Sequence, residues 1–241
     1  MPDAAFAEPR LAQVYDPLEN DRPDLDVYAA IAGELGARTV LDIGCGTGSL
    51  ATMLAQRDYD VVGVDPAAAS LDVARGKPGA DAVRWVHGDA TTLPELQVDL
   101  AVMTGNVAQV FLTDDAWAAT LAGAHSALRP GGWLVFETRD PARQAWLEWD
   151  VPPTVTEIPG VGEVENKRVV TDVRGDLVSF RWTITFASDG ASFDSNSTLR
   201  FRTRAEVEQS LQRAGFVVRD VREAPDRPGR EMVFVAGKGT A

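Results

Sequence analysis

Residues 40–50 read VLDIGCGTGSL. An apolar strand pattern over Thr39–Ile43 runs straight into glycines at positions 44, 46 and 48. A helical pattern follows over Gly48–Arg57, so strand, tight glycine turn and helix stand in one unit of the α/β type. Glycine admits positive φ and lets a ligand come close to the backbone. An acid, Asp42, sits inside the apolar run, where a carboxylate without a partner is costly. The spacing is not the dinucleotide fingerprint, which needs glycine at 49, where Ser49 stands. It is not a phosphate-binding Walker loop either, because no Gly-Lys-Ser/Thr follows.

The same rhythm repeats down the chain. Strands are predicted over Val61–Val64, Ala82–His87, Val98–Met103, Trp133–Thr138, Phe216–Val221 and Glu231–Ala236. Helices are predicted over Val27–Leu35, Ala67–Arg75, Asp114–Leu128 and Arg204–Ala214, with RPGG at 129–132 as a turn. Most of these strands are continuous apolar runs, the mark of a parallel sheet covered on both faces. The fold class is therefore α/β: a Rossmann-like doubly wound, mostly parallel seven-stranded sheet. One stretch breaks the rhythm. VSFRWTITF at 178–186 alternates, with Phe180, Trp182, Ile184 and Phe186 on one face and Arg181, Thr183 and Thr185 on the other. With SDG as a turn, SFDSNSTLRF after it and Val164–Val173 before it, 155–202 reads as an inserted antiparallel β-meander. Residues 1–26 read as irregular, with a short helix around Leu11–Tyr15. The expected division is an N-terminal helical segment at 1–36, a core at 37–141 and 203–241, and an inserted β subdomain at 142–202.

The net charge is −13 and the sequence pI about 4.6, which repels phosphate backbones and makes nucleic acid a poor partner. A single cysteine permits no intrachain disulfide, as suits a reducing cytoplasm. Neither a signal-peptide core in MPDAAFAEPRLAQ nor a bilayer-length apolar run is visible. The expectation is a cytoplasmic protein that uses a small molecule, with no membrane, nucleic-acid or metal partner, and with a homodimer as an open possibility.

In open α/β sheets ligands bind beyond the carboxyl ends of the strands. There the chain places VVGVDPA at 61–67, with Asp65 at 17 residues after Gly48, GDA at 88–90, MTGNV at 103–107 and RPGGWLVFETRDP at 129–141. With the G-x-G-x-G turn and Asp42 ahead of it, this ordered set resembles the class I S-adenosylmethionine-dependent methyltransferases. The resemblance implies S-adenosylmethionine as cofactor and S-adenosylhomocysteine as product. It implies that Asp65 accepts both ribose hydroxyls, with Pro66 beside it, and that Asp89 and the Ala90 amide hold the adenine. The loop Gly44, Cys45, Gly46, Gly48 would pass under the tail and ribose, the Gly44 and Thr104 carbonyls would hold the tail ammonium, and Asp42 would orient loop or tail. Asp65 can also be read as a helix N-cap before Pro66, alongside its ligand role. Cys45 lacks a paired base and is no nucleophile.

Many small-molecule members carry an N-terminal lid, so Tyr15 in YDPLEND is a candidate to close over cofactor or substrate. Tyr15, Asn106 and His87 are the candidate catalytic residues, and Asn106, Gln109, Arg139, Trp146 and Arg181 the candidate substrate contacts. TGNV stands where an amide or adenine N-methyltransferase would carry Asp/Asn-Pro-Pro-Tyr/Phe, and the only cysteine lies in the glycine loop, against a cytosine C5 enzyme. The expectation is a methyltransferase (EC 2.1.1.-) acting on O, N or C of a small molecule, mainly by proximity and orientation. The alternative is a non-catalytic sensor or partner subunit that binds the cofactor. In layout the insert is similar to that of bacterial sugar-amine and glycine N-methyltransferases, as a roof over the site or a dimer interface.

Overall fold

The structure is a computed structural model that describes residues 2–19 and 22–239. Its elements run α1 (Ala4–Ala7), α2 (Pro9–Glu19), α3 (Asp24–Glu34), β1 (Thr39–Ile43), α4 (Ser49–Ala55), β2 (Asp60–Asp65), α5 (Ala68–Arg75), β3 (Val83–His87) and β4 (Val98–Met103). They continue α6 (Asp114–Ala127), β5 (Leu128–Arg139), β6 (Thr154–Ile158), β7 (Gly162–Arg174), β8 (Leu177–Phe186), β9 (Ser192–Arg200), α7 (Arg204–Arg213), β10 (Phe216–Glu223) and β11 (Glu231–Lys238).

Seven strands form one sheet in the order β10-β11-β5-β4-β1-β2-β3, parallel from β5 to β3 and antiparallel at β10 and β11. The continuous apolar runs are explained by what covers the two faces. Leu41, Val62, Met103 and Phe136 pack with Trp117 and Leu121 of α6. Their strand neighbours Val40, Val61, Val102 and Val135 pack on the opposite face with Tyr28 and Ile31 of α3. The strand order reverses between β1 and β4, so the loops after these two strands flank the crevice where open sheets bind ligands.

The second sheet, β6-β7-β8-β9, is antiparallel and enters after β5. Trp182, Ile184 and Phe186 lie on its buried face against Ala5, Leu11 and Val14 of the N-terminal helices. Thr183 and Thr185 on the other face form a polar ladder with Asp194 and Ser192. No helix among the described residues is long and apolar enough to cross a membrane.

Several expectations need correction. The first 26 residues are not mostly irregular: α2 is a full helix with Pro17 inside it, supported by its buried Leu11, Ala12 and Val14 against the second sheet. Tertiary burial outweighs the local helix-breaking tendency of a single proline. Asn20 and Asp21, the end of YDPLEND, lie outside the described residues. RPGG belongs to β5, which starts at Leu128, with Gly131 at φ +77°. The insert has a fourth strand, β6, that its polar sequence TVTEI did not announce.

Candidate active site

The glycine loop is held by its own backbone. The Gly44 and Cys45 amides both donate to the Val64 carbonyl, at 2.8 and 3.1 Å, which ties the end of β1 to the end of β2. All three glycines have positive φ. A Cβ on Gly48 would lie 2.4 Å from Cη2 of Trp85 and 2.8 Å from Cβ of Ala74, so the third glycine lets the loop settle onto a tryptophan floor. A Cβ on Gly46 would meet nothing within 4 Å, so the middle glycine faces open space. Burial pushes the Cys45 thiol well above its ordinary range, which keeps it protonated and inert.

Two carboxylates stand behind this loop. Asp65 ends β2 and accepts the Gly46 amide at 2.8 Å on Oδ2 and the Ala67 amide at 2.7 Å on Oδ1. Burial raises its pKa, and the two amide hydrogen bonds oppose that rise. Each oxygen keeps a lone pair for a further donor. The N-cap reading of Asp65 is not what forms: α5 begins at Ala68 and its cap position is Ala67. Asp42 is 1 % exposed, and its Oδ1 has no hydrogen-bond partner among the described residues. Burial first, and the Asp65 carboxylate second, push its pKa up to about 7.

The other cofactor candidates sit along the same sheet edge. Asp89 is exposed and folds back on its own turn, accepting the amide and hydroxyl of Thr91 at 2.8 and 2.6 Å. Ala90 beside it is buried, Pro66 is exposed, and Thr104 is half-buried at the end of β4. His87 is exposed and its Nε2 lies 3.1 Å from the Pro66 carbonyl; it does not line the cavity described next. A strap crosses the loop from the N-terminal side. Asp16 of α2 accepts the Thr47 hydroxyl at 2.6 Å and pairs with Lys77 at 2.5 Å.

After β4 the TGN turn is organised by an acid that the sequence reading passed over. Glu137 of β5 accepts the Gly105 amide at 2.6 Å and the Asn106 amide at 3.1 Å on one oxygen, and the Tyr28 hydroxyl on the other. Burial raises its pKa, and the Tyr28 hydrogen bond opposes that. Asn106 adopts φ +62°; its Nδ2 donates to Glu231 at 3.0 Å, and its Oδ1 is buried without a partner among the described residues. Glu231 also accepts from Arg227 at 2.9 Å. Arg139 reaches Glu231 at 3.7 Å and donates to Gln109 Oε1 at 2.9 Å.

This network forms one wall of a cavity of about 170 Å³ between the TGN turn, the N-terminal helices and the second sheet. Of the candidate residues, Tyr15, Asn106 and Arg139 line it. Tyr15 packs against Phe6 and Trp182, and burial raises its phenol pKa, so it stays protonated. Gln109 is fully buried behind Arg139 and acts on the cavity only through it.

Two expected contacts fall elsewhere. Trp146 packs edge-on against Phe201, and Trp149, one turn on, lines the cavity in its place. Arg181 points to the outer face of β8, 47 % exposed, and bonds Asn196 at 3.2 Å. The opposite face carries Phe180 and Trp182 into the cavity, with Arg168 of β7 stacked on them. Strand alternation had marked those aromatic residues, but only as packing.

Residues 40–132 match the family model described as Methyltransferase domain. The chain is 29 % identical over 188 residues to the cypemycin N-terminal methyltransferase of a Streptomyces species, covering 78 % of this chain and 76 % of that one. Its fold is similar to a methyltransferase from Streptomyces caelestis, at TM-score 0.77 and 23 % identity over 95 % of this chain and 96 % of the other. It is also similar to a SAM-bound amino pentose methyltransferase from Micromonospora echinaspora involved in calicheamicin biosynthesis. That match has TM-score 0.71 and 26 % identity, over 90 % of this chain and 92 % of the other.

Proposed function

We propose that the chain, whose residues 40–132 match the methyltransferase-domain model, is a class I S-adenosylmethionine-dependent methyltransferase that methylates an O, N or C nucleophile of a small molecule held in the cavity. In this reading 1–36 is a lid, 37–141 with 203–241 is the cofactor-binding core, and 142–202 is the substrate subdomain. The observation that carries it is the pair of acids behind the glycine loop. Asp65 is fixed by two backbone amides and has acceptor capacity left for two ribose hydroxyls. Asp42, buried with an unpartnered oxygen, supplies the negative field that a cationic group at this loop would meet. The open side of Gly46 gives that ligand room against the backbone. In this reading Asp89 and the Ala90 amide take the adenine, and the Gly44 and Thr104 carbonyls take the ammonium.

When bound, S-adenosylmethionine would supply an electrophilic methyl group for in-line transfer to a nucleophile, with the thioether of S-adenosylhomocysteine as the leaving group. The chain's own contribution is alignment and exclusion of water. Alignment of this kind is worth about 7–11 kcal/mol of barrier in well-oriented systems. Glu137 fixes the TGN turn through the two amides it binds, and that turn presents Asn106 at the cavity. The Asn106 Oδ1 can accept a hydrogen bond from the nucleophile and point its lone pair. Tyr15 acts as a protonated donor on the lid side rather than as a base. His87 has no role here, because it lies off the cavity.

The test is to incubate the protein with S-adenosylmethionine and a panel of small amines, phenols and alcohols and to follow products by mass spectrometry. The reading predicts S-adenosylhomocysteine in equal amount with a product heavier by one methylene, both lost in Asp65→Ala. Cofactor binding with no methylated product from any member of the panel would favour a binding protein without turnover.

A further inference from the structure

Two buried hydrogen-bond donors on one wall of the cavity have nothing to donate to. Arg168 of β7 and Trp182 of β8 are cross-strand partners, with the guanidinium carbon 5.3 Å from the centre of the indole ring. Both residues line the cavity. Arg168 Nε and Trp182 Nε1 are buried and have no partner among the described residues. Each nitrogen can only donate. Buried donors left unmet are uncommon and call for a partner, and in residues that line a cavity a ligand held there can be that partner. The wall therefore asks for an acceptor.

The charge around these donors says which acceptor. Arg168 is already faced by Glu19, whose Oε1 lies 3.3 Å from Nη2. Asp24, Glu137 and Glu231 also line the cavity, and its other arginines, Arg22, Arg139 and Arg227, are already held by Asp24 and Glu231. An anionic acceptor beside the Arg168–Glu19 pair would bring a second negative charge to one cation, with no unpaired cavity arginine among the described residues to offset it. A carbonyl oxygen meets both donors without that repulsion. Aromatic rings take up much of the surrounding surface: Phe6, Tyr15, Trp149 and Phe180 line it with Trp182, tilted or edge-on to one another, so that an aromatic ligand meets both ring faces and ring edges. On the TGN side, the Glu231 carboxylate fixes Asn106 with its Nδ2 toward the acid, which leaves the unpartnered Oδ1 as an acceptor.

We propose that the substrate is an uncharged planar aromatic compound with a carbonyl at one edge, read by Arg168 Nε and Trp182 Nε1, and an O–H or N–H at the other, read by Asn106 Oδ1. This deepens the methyltransferase reading and rests on it for taking the cavity as the substrate site.

The experiment is calorimetric binding to the full chain saturated with S-adenosylhomocysteine, and again without it. The probes are 4-hydroxyacetophenone, 4-ethylphenol, which lacks the carbonyl, and 4-hydroxybenzoate, which makes the acceptor anionic. The expected result is that the ketone binds about tenfold more tightly than either of the others. Trp182→Phe, which keeps a ring and removes the donor, and Arg168→Lys, which keeps the charge and removes Nε, each abolish that preference and leave 4-ethylphenol affinity as it was. Equal binding of ketone and ethylphenol, tighter binding of the benzoate, a ketone preference that survives in both variants, or no binding of any probe at millimolar concentration overturns the proposal. Should Trp182→Phe fail to fold, Arg168→Lys carries the same test. S-adenosylhomocysteine affinity, expected unchanged in both variants, reports separately on the methyltransferase reading.

Discussion

The two halves of the crevice are built from different material. On the sheet side, the glycine loop and Asp65 are joined by backbone amides, and most hydrogen-bonding groups of the loop are already used. On the meander side, the cavity is lined by side chains from the N-terminal helices, β5, β7, β8 and β11, and two of their polar atoms, Arg168 Nε and Trp182 Nε1, are unmet among the described residues. A backbone-built surface recognises what every ligand of the site has in common. A side-chain surface recognises what distinguishes one ligand from another. On the proposed function, the first surface takes the shared cofactor and the second the specific substrate.

Breaking the sheet side should have the largest effect. Gly48→Ala puts a Cβ into the Trp85 ring and at a left-handed φ, so both overpacking and strain act. The expected loss is roughly 4 kcal/mol of stability, read by denaturant unfolding. Gly46→Ala keeps the strain and lacks the clash, so it should unfold nearer wild type and show its damage in cofactor affinity instead.

Asp42→Asn should be stabilising, with a gain that grows as pH rises from about 4 to 7 and is full above that. Burial lifts the folded carboxyl from its ordinary 3.8 to about 7, so its ionised form costs stability at and above neutral pH, and that cost fades as pH falls toward 4. At about 1.4 kcal/mol per pKa unit, the gain at pH 8 is on the order of 4 kcal/mol, with little at pH 4. Parallel melts of the two proteins across pH check it; an equal gain at both pH values would contradict the burial argument.

Tyr28→Phe removes one donor from buried Glu137 and should cost about 1–2 kcal/mol, with a lower kcat as the TGN turn loosens. Smallest of all is Arg181→Ala. Its side chain lies on the outer face, so stability should move by less than about 0.5 kcal/mol and substrate KM should not change. A raised KM would put the outer face of the meander into the site and undo the comparison.

What could be read from the sequence follows the same division. The sheet, its order of loops and the acids at the strand ends are local signals: a carboxylate inside an apolar run at Asp42, glycines at a strand end, Asp65 closing β2. The cavity is not local. Tyr28 and Glu137 are 109 positions apart, and Asn106 and Glu231 are 125 apart, so no spacing rule joins them. Glu137 did carry a signal, since an acid within WLVFETR breaks an apolar strand in the way Asp42 does. The insert teaches a narrower point. Arg181 and Trp182 are adjacent, and a strand sends neighbours to opposite faces. Arg181 therefore lies on the outer face of β8, and the alternation pattern, followed through, sends Phe180 and Trp182 to the cavity. Trp146 and Trp149 differ in the same way, by position around a short helical turn that the sequence does not mark.

The division itself is tested most directly by titrating S-adenosylhomocysteine into wild type, Asp65→Ala and Trp182→Phe by calorimetry. The account predicts that Asp65→Ala weakens binding about tenfold or more, through loss of a charge-assisted bidentate contact, while Trp182→Phe stays within about twofold of wild type. Unchanged affinity in Asp65→Ala, or a comparable loss in Trp182→Phe, would contradict it.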